Sequence, residues 1–302
     1  MILFSGNANT PLANAIANQL NLPLGKMIVE RFSDGESRIE IQESVHDKVV
    51  FILQSTSPPV HHHLVELCLI ANAARNAMAK KIIGIMPYFG YARQDRSSSA
   101  KHIAIGAKVC ADFLSSVGFN QIVTVDLHKE QLQGFFAMPV VNIDCSHLYL
   151  EDILKKNFPN PIVISPDAGG FNRAQQLAAL LNNADLAIID KRRPKPNISE
   201  VMNVIGNVKY RDCIIIDDMI DTGTTLSLTA KALKNRGANK IHAYITHPVF
   251  SGNALAEIAS MPIDELVVTD TIPLNSMTLM NPKIRCLSIA SQISHCIRHM
   301  SA

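Results

Sequence analysis

The stretch "CIIIDDMIDTGTTLSLTAKALKNRG", Cys213 to Gly237, sets three carboxylates (Asp217, Asp218 and Asp221) between an apolar run and an amphipathic one. A turn of glycine and threonine joins the two runs, where the start of a helix attracts an anion. Residues 213–217 predict a strand, after which the chain turns through Asp221-Thr222-Gly223-Thr224-Thr225 into a helix. Leu226, Ala230 and Leu233 give that helix one apolar face, and Gly237 offers its C-terminal stop. Gly223 lets backbone approach a ligand, the threonines supply hydroxyl donors, and first-turn N–H groups complete an anion pocket. Capping accounts for Asp221 and Thr224 but not for Asp217 and Asp218. Ionised carboxylates only accept hydrogen bonds, so this pair suits sugar hydroxyls or a sugar-bound magnesium, with a phosphate on the turn. The loop reads as a receptor for a molecule with an anionic end and a polyhydroxyl end.

Outward from this loop, short β-branched runs alternate with longer helical ones. Candidate strands are "KVVFILQ", "KIIGIMPY", "QIVTVDL", "PIVISP", "LAIID", "CIIID", "KIHAYITH" and "DELVVTD". Continuous apolar strands separated by helices indicate parallel sheets covered on both faces. The halves also resemble each other. "KVVFILQSTSPP" leads through a helix to "AKKIIGIMPYFG", as "DCIIIDDMIDTGTT" leads to "ANKIHAYITHPVF", and both continue to a further strand near Val123 or Val267. This shared order predicts a duplicated α/β domain, divided near Asp144 to Tyr149, as does a length of 302 residues. In open sheets of this kind ligands gather beyond the carboxyl ends of the strands.

Composition narrows the class. Hydrophobic content of 47% fills two cores with aliphatic packing, since Trp is absent. A net charge of +2, from 28 basic and 26 acidic residues, argues against non-specific nucleic-acid binding. No apolar segment approaches the ~20 residues that span a bilayer, and the N-terminus has no basic region of a signal peptide. The six cysteines form no CxxC pair and mostly sit in apolar runs, which predicts free thiols in a reducing cytoplasm.

The acidic loop resembles the phosphoribosyl-diphosphate loop of type I phosphoribosyltransferases and of ribose-phosphate pyrophosphokinases. Four further segments separate the two in favour of the pyrophosphokinases: "FSDGES" (32–37), "PYFGYARQDR" (87–96), "VDLHKEQLQGFF" (125–136) and "IIDKRRP" (188–194). The resemblance runs from about Phe32 to Pro273 and implies two duplicated phosphoribosyltransferase type I-like domains, each a mostly parallel sheet flanked by helices. The domains are expected at 1–145 (nucleotide) and 146–287 (ribose 5-phosphate), with segment 288–302 returning to the first. The implied reaction moves the β,γ-diphosphoryl group of ATP to the anomeric hydroxyl of ribose 5-phosphate, releasing AMP, with Mg2+ as cofactor.

Residue by residue, the resemblance implies ribose 5-phosphate on Asp221, Thr222, Gly223, Thr224 and Thr225, with Asp217 and Asp218 near its hydroxyls. ATP is expected on Phe32, Asp34, Gly35, Glu36, Arg93, Gln94 and His128, with Phe32 as a stacking face. Magnesium falls to His128 and to Asp167 in "SPDAGG". "DKRRPKPN" carries four basic residues between Lys191 and Lys195, and in the family Lys191 and Arg193 are the catalytic pair, with Arg193 also touching ribose 5-phosphate. Phosphoryl transfer needs mostly charge neutralisation and alignment, which suits such a loop. In family members the segment resembling "FSDGES" comes from a neighbouring subunit, so a homo-oligomer, a homohexamer built from dimers, is expected. Neither nucleic acid nor membrane is an expected partner, and a cytoplasmic location is.

Two other readings compete. A type I phosphoribosyltransferase would use the acidic loop but gains nothing from "FSDGES" or "ARQDR". A catalytically silent regulatory subunit would show damage to the catalytic loop or magnesium ligands, whereas Lys191, Arg193, His128 and Asp167 are all present. The chain departs from the family at three histidines (61–63), at Thr224 in place of a second glycine, and at Phe171 and Asn172. It also departs at "RSSSAKHIAIGAK" (96–108), which has fewer cations than relatives carry there and predicts reduced or altered control by phosphate and ADP. Three rings adjacent in sequence cannot all face one ligand from a helix, which argues against a metal at 61–63.

Overall fold

Runs of Ile, Val and Leu bounded by turn residues form strands because β-branched side chains pack well on a pleated surface buried on both faces. The computed structural model describes residues 1–97, 102–192 and 201–301, with Lys191, Arg192, Val201 and Met202 described through their backbone alone. The chain divides into two units. The first comprises Met1–Asp144, Thr271–Pro273 and Ser288–Ala302, and the second Cys145–Asp270 and Leu274–Leu287.

The first unit contains β1 (Ile2–Ser5), β2 (Met27–Arg31), β3 (Ser37–Ile41), β4 (Val49–Leu53), β5 (Lys81–Met86), β6 (Gln121–Val125) and β7 (Val140–Ile143). Its sheet has the order β1-β4-β5-β6-β7 with every pairing parallel, while β2 and β3 form a separate antiparallel hairpin. Helices Val60–Asn76 and Gly106–Val117 present Leu67, Ile70, Ala71, Ala107, Ala111 and Leu114 to this core. The last helix, Ala290–Ser301, lies against helix Thr10–Leu20, and Arg298 donates to the Gln19 carbonyl.

The second unit contains β8 (Pro161–Ser165), β9 (Asp185–Arg192), β10 (Val201–Ile205), β11 (Asp212–Ile220), β12 (Ile241–Pro248), β13 (Glu265–Thr269) and β14 (Ile284–Leu287). Its sheet has the order β10-β9-β8-β11-β12-β13-β14, parallel except where β10 turns back on β9. The five strands β8-β11-β12-β13-β14 repeat the order of the first unit, which is the duplicated α/β arrangement expected. Ile214, Ile215 and Ile216 are fully buried, each stabilising the fold by roughly 1.5–3 kcal/mol relative to exposure. Where a tryptophan would fill space, Tyr149 and Tyr244 meet edge to face at 5.4 Å. Their hydroxyls bond Thr246 Oγ1 and Asp152 Oδ2, each at 2.8 Å.

The helix after the opening loop spans Thr224–Asn235 and buries Leu226, Ala230 and Leu233. It ends in paired bonds: Gly237 N–H donates to Lys234 O at 3.0 Å and Ala238 N–H to Leu233 O at 3.1 Å. Gly237 has φ +83°, the left-handed position that such an ending requires. Two strands are longer than the runs that announced them. β11 continues past 217 through Asp218 to Ile220, and β9 continues past Asp190 through Lys191 and Arg192, because each finds a ladder partner in β12 and β10. Among the described residues no helix is long and apolar enough to cross a membrane. All six cysteines are free, and burial pushes the Cys213 thiol up to about 12.

Candidate active site

In the second unit, β8 pairs with β11 as far as Ile164 opposite Ile215, and β11 runs on to Ile220. Asp217 and Asp218 therefore lie beyond the end of β8, alongside the turn Ala168–Gly170. Asp167 opens that turn. Its Oδ1 accepts the Gly170 N–H at 2.9 Å, and the Ser165 hydroxyl donates to its carbonyl at 2.6 Å. Asp218 is buried at 4% exposure, with Arg173 Nη1 at 3.6 Å from its carboxylate. Burial, and after it the neighbouring charge of Asp218, raises the Asp217 carboxyl well above the usual carboxylate range, with Asp167 adding to the push and Arg173 opposing it. Three carboxylates and one guanidinium thus converge at adjacent strand ends.

The turn that follows is braced from the next strand. The Val249 and Phe250 N–H groups donate to Ile220 O at 2.9 and 3.2 Å, and Ser251 N–H donates to Asp221 O at 3.1 Å. The Ser251 hydroxyl also donates to Asp221 Oδ1. Gly223, at φ +82°, is the N-cap of the helix and so puts no side-chain acceptor at the cap. Thr222 and Thr224 bring their hydroxyls within 3.1 Å of each other at the exposed mouth. A phosphate accepts from such hydroxyls and from first-turn N–H groups. Ser251 and Arg173 were not read from the sequence.

In the first unit, Arg93 and Gln94 follow β5 and His128 follows β6, at the carboxyl ends of two paired strands. Gln94 N–H donates to Tyr91 O at 2.8 Å, and Gln94 Oε1 lies only 2.5 Å from where a Cβ on Gly106 would stand. Its side chain is accordingly turned to the cavity between helices Val60–Asn76 and Gly106–Val117. Asp126 and Leu127 fix the His128 loop through bonds to Ile143 O (2.9 Å) and Asn142 Oδ1 (3.1 Å). Phe32, Asp34, Gly35 and Glu36 form the exposed tip of the β2–β3 hairpin, which is separate from the main sheet. Phe32 is 52% exposed, an open aromatic face, and Asp34 Oδ1 accepts the Glu36 N–H at 3.0 Å.

By strand order, the counterpart of the acidic turn in the first unit is Gln54 to Pro59 after β4. Gln54, Ser55, Thr56 and Ser57 are buried there. Gln54 Oε1 accepts the Ala8 N–H at 3.0 Å, and its amide donates to Glu66 at 2.7 Å; Glu66 also accepts from the Asn7 N–H and Nδ2 at 2.7 and 3.0 Å. Protein groups thus occupy the polar atoms of Gln54 and Glu66 at this turn. The histidine triplet is structural: His61 bonds Tyr91 OH at 2.7 Å, His62 faces Glu66 at 3.3 Å and His63 bonds Ser57 O at 2.7 Å.

Lys191 sits in β9 opposite Met202. Its side chain and that of Arg192, residues 193–197 of "KRRPKPN" (Arg193 among them) and residues 98–101 of the departing segment lie outside the described residues.

Two α/β units whose polar and charged side chains gather at the carboxyl ends of parallel strands have the arrangement in which open α/β sheets take their ligands. Residues 1–118 match the family model of the N-terminal domain of ribose phosphate pyrophosphokinase, and residues 177–302 that of the phosphoribosyl synthetase-associated domain. A ribose-phosphate pyrophosphokinase of Buchnera aphidicola subsp. Acyrthosiphon pisum is 51% identical over 100% of this chain and 96% of its own. One from Ralstonia nicotianae is 54% identical over 96% and 92%. The crystal structure of phosphoribosylpyrophosphate synthetase from Mycobacterium smegmatis superposes with a TM-score of 0.93 at 34% identity, covering 99% of this chain and 98% of that one. The chain belongs to the ribose-phosphate pyrophosphokinase family, and is on that ground an ATP-using transferase.

Proposed function

We propose that the chain transfers the β,γ-diphosphoryl group of ATP to the anomeric hydroxyl of ribose 5-phosphate, giving 5-phosphoribosyl 1-diphosphate and AMP. One observation carries this reading beyond family membership: Asp167, Asp217 and Asp218 converge beside a glycine-capped helix start. Bare phosphate is repelled by those acids, whereas a phosphorylated sugar puts its hydroxyls against them and its phosphate on Asp221 to Thr225. Asp217 and Asp218 then orient the sugar, and Ser251 holds Asp221 in place for it.

Magnesium is implied by the family. The Asp217–Asp218 pair, with Asp167 close enough to raise Asp217 further, is a donor set that a hard divalent cation would relieve. A magnesium ion is held by one or two carboxylates together with substrate phosphates and water. Asp167 is the proposed magnesium ligand on the second unit. On the first, His128 serves the nucleotide phosphates and their magnesium, with Arg93 and Gln94 contacting the nucleotide. The bound cation would neutralise phosphate charge.

At the hairpin tip Phe32 offers its exposed face to adenine, and Asp34 and Glu36 offer acceptors to the amino group. A second copy of the chain is the proposed recipient of that tip, within a homohexamer. Lys191 and Arg193 are proposed to donate to the diphosphate as it transfers, with Arg193 also on the sugar phosphate.

The test is AMP formation from ATP and magnesium as a function of ribose 5-phosphate, with the second product quantified. Equimolar AMP and phosphoribosyl diphosphate are expected; a folded protein that binds nucleotide and yields neither is a silent subunit. In the same assay Lys191→Ala should lower turnover by at least ~10²-fold, as for a lost transition-state charge donor. A near-normal rate would remove Lys191 from the mechanism.

A further inference from the structure

Helix Ala290–Ser301 buries Ala290, Ile293, Ser294 and Ile297, which leaves His295 and His299 exposed one turn apart on its outer side. Their Nε2 atoms stand 3.0 Å apart and their ring centroids 4.3 Å apart. In that contact one ring nitrogen donates and the other accepts. A cation that replaces the bridging proton gains two nitrogen donors from adjacent turns of one helix.

We propose that His295 and His299 form a two-imidazole binding site for a divalent transition cation of tetragonal preference, Cu2+ or Ni2+. The separation selects the class. With metal–nitrogen bonds of about 2.0–2.1 Å, donors 3.0 Å apart subtend about 94° at the metal, close to the right angle of square-planar or octahedral sites. A tetrahedral ion needs its donors about 3.3 Å apart, so Zn2+ is the poorer fit. The order of affinities along the first transition row also favours Cu2+. Hard Mg2+, which takes oxygen donors, is excluded on softness.

The histidines at 61–63 do not compete, since each ring bonds a different protein group. Arg298, the nearest cation on the helix, is turned to the Gln19 carbonyl. Water fills the remaining positions. A metal joining two turns binds the helical form only, so it holds the end of the last helix against fraying.

Calorimetric titration of the EDTA-treated full chain with NiCl2 tests the site without oxidising the nearby Cys296. One Ni2+ site per chain is expected to bind at least about 10-fold more weakly in His295→Gln or in His299→Gln, because either loss removes the chelate. Circular dichroism checks that the variants fold. On the wild type, the Cu2+ electron paramagnetic resonance spectrum should show two nitrogen donors. Equal Ni2+ affinity in wild type and the His295→Gln/His299→Gln double variant, or a wild-type Cu2+ spectrum without paired nitrogens, would overturn the proposal.

Discussion

Asp221 is held at both ends by one residue, since Ser251 donates its N–H to the carbonyl and its hydroxyl to the carboxylate. The backbone bond survives any side-chain change, so the hydroxyl can be tested alone. Ser251→Ala should raise the KM for ribose 5-phosphate by roughly 10-fold, the value of one hydrogen bond to a charged acceptor, and leave the KM for ATP unchanged. Steady-state kinetics with each substrate varied in turn checks this, and Ser251→Thr should restore most of the loss; equal effects on both substrates would mean a general structural role. The acids and the glycine of this site were legible in the sequence because they are contiguous: local order alone puts Asp217 to Thr225 at one strand end. Ser251 and Arg173 were not. They arrive through the β11–β12 pairing and the packing of helix Phe171–Leu180, and neither "FSG" nor "NRA" carries a local signal of that kind.

Helices and strands differ in how much of their environment the sequence displays. The eight candidate strands all form, seven as runs buried on both faces and β9 with every second residue only partly buried. β7 and β14 escaped notice as four-residue edge strands with only partial burial, and β2 and β3 because a half-exposed ribbon mixes polar and apolar residues. β10 reads as loop until β9 supplies its ladder. The self-occupied turn after β4 was illegible for a stronger reason, since Gln54 bonds Ala8 and Glu66 bonds Asn7 across long separations. A consequence can be measured there. Glu66→Ala strips the acceptor from the Asn7 N–H, the Asn7 amide and the Gln54 amide, and should destabilise the protein by at least about 3 kcal/mol. Urea unfolding reads the change, and Glu40→Ala on the exposed hairpin, a surface pair with Arg38, should cost at most about 1 kcal/mol. Similar costs for the two would contradict the role of Glu66.

Over the molecule as a whole, opposite ends of the second sheet do different work. Away from the acidic turn, Arg285 holds Asp152 with two bonds and Glu265 Oε1 at 2.8 Å, while Lys156 pairs with Glu265 from its other side. Burial pushes both carboxyls up, but bonds from Arg285 and Tyr244 to Asp152, and the approach of His242 with bonds from Arg285 and Lys156 at Glu265, outweigh it, so both lie below the ordinary carboxylate range. A depressed folded-state value means stability that is full above the unfolded carboxylate pKa and is lost as pH falls through the folded one. The difference in unfolding free energy between wild type and Glu265→Gln should therefore be constant down to about pH 5 and close progressively in stronger acid. A difference that stays constant into strong acid would remove the ion pairs from the account. The account of the other end rests on one claim: like charges beside an anion-accepting turn select a molecule that is phosphate at one end and hydroxyls at the other. Calorimetric titration of the protein, in magnesium, with ribose 5-phosphate, ribose and inorganic phosphate tests it most directly. Ribose 5-phosphate should bind at least ~10-fold more tightly than either half, since only the whole molecule satisfies both parts of the loop; inorganic phosphate binding as tightly as the sugar phosphate would contradict it.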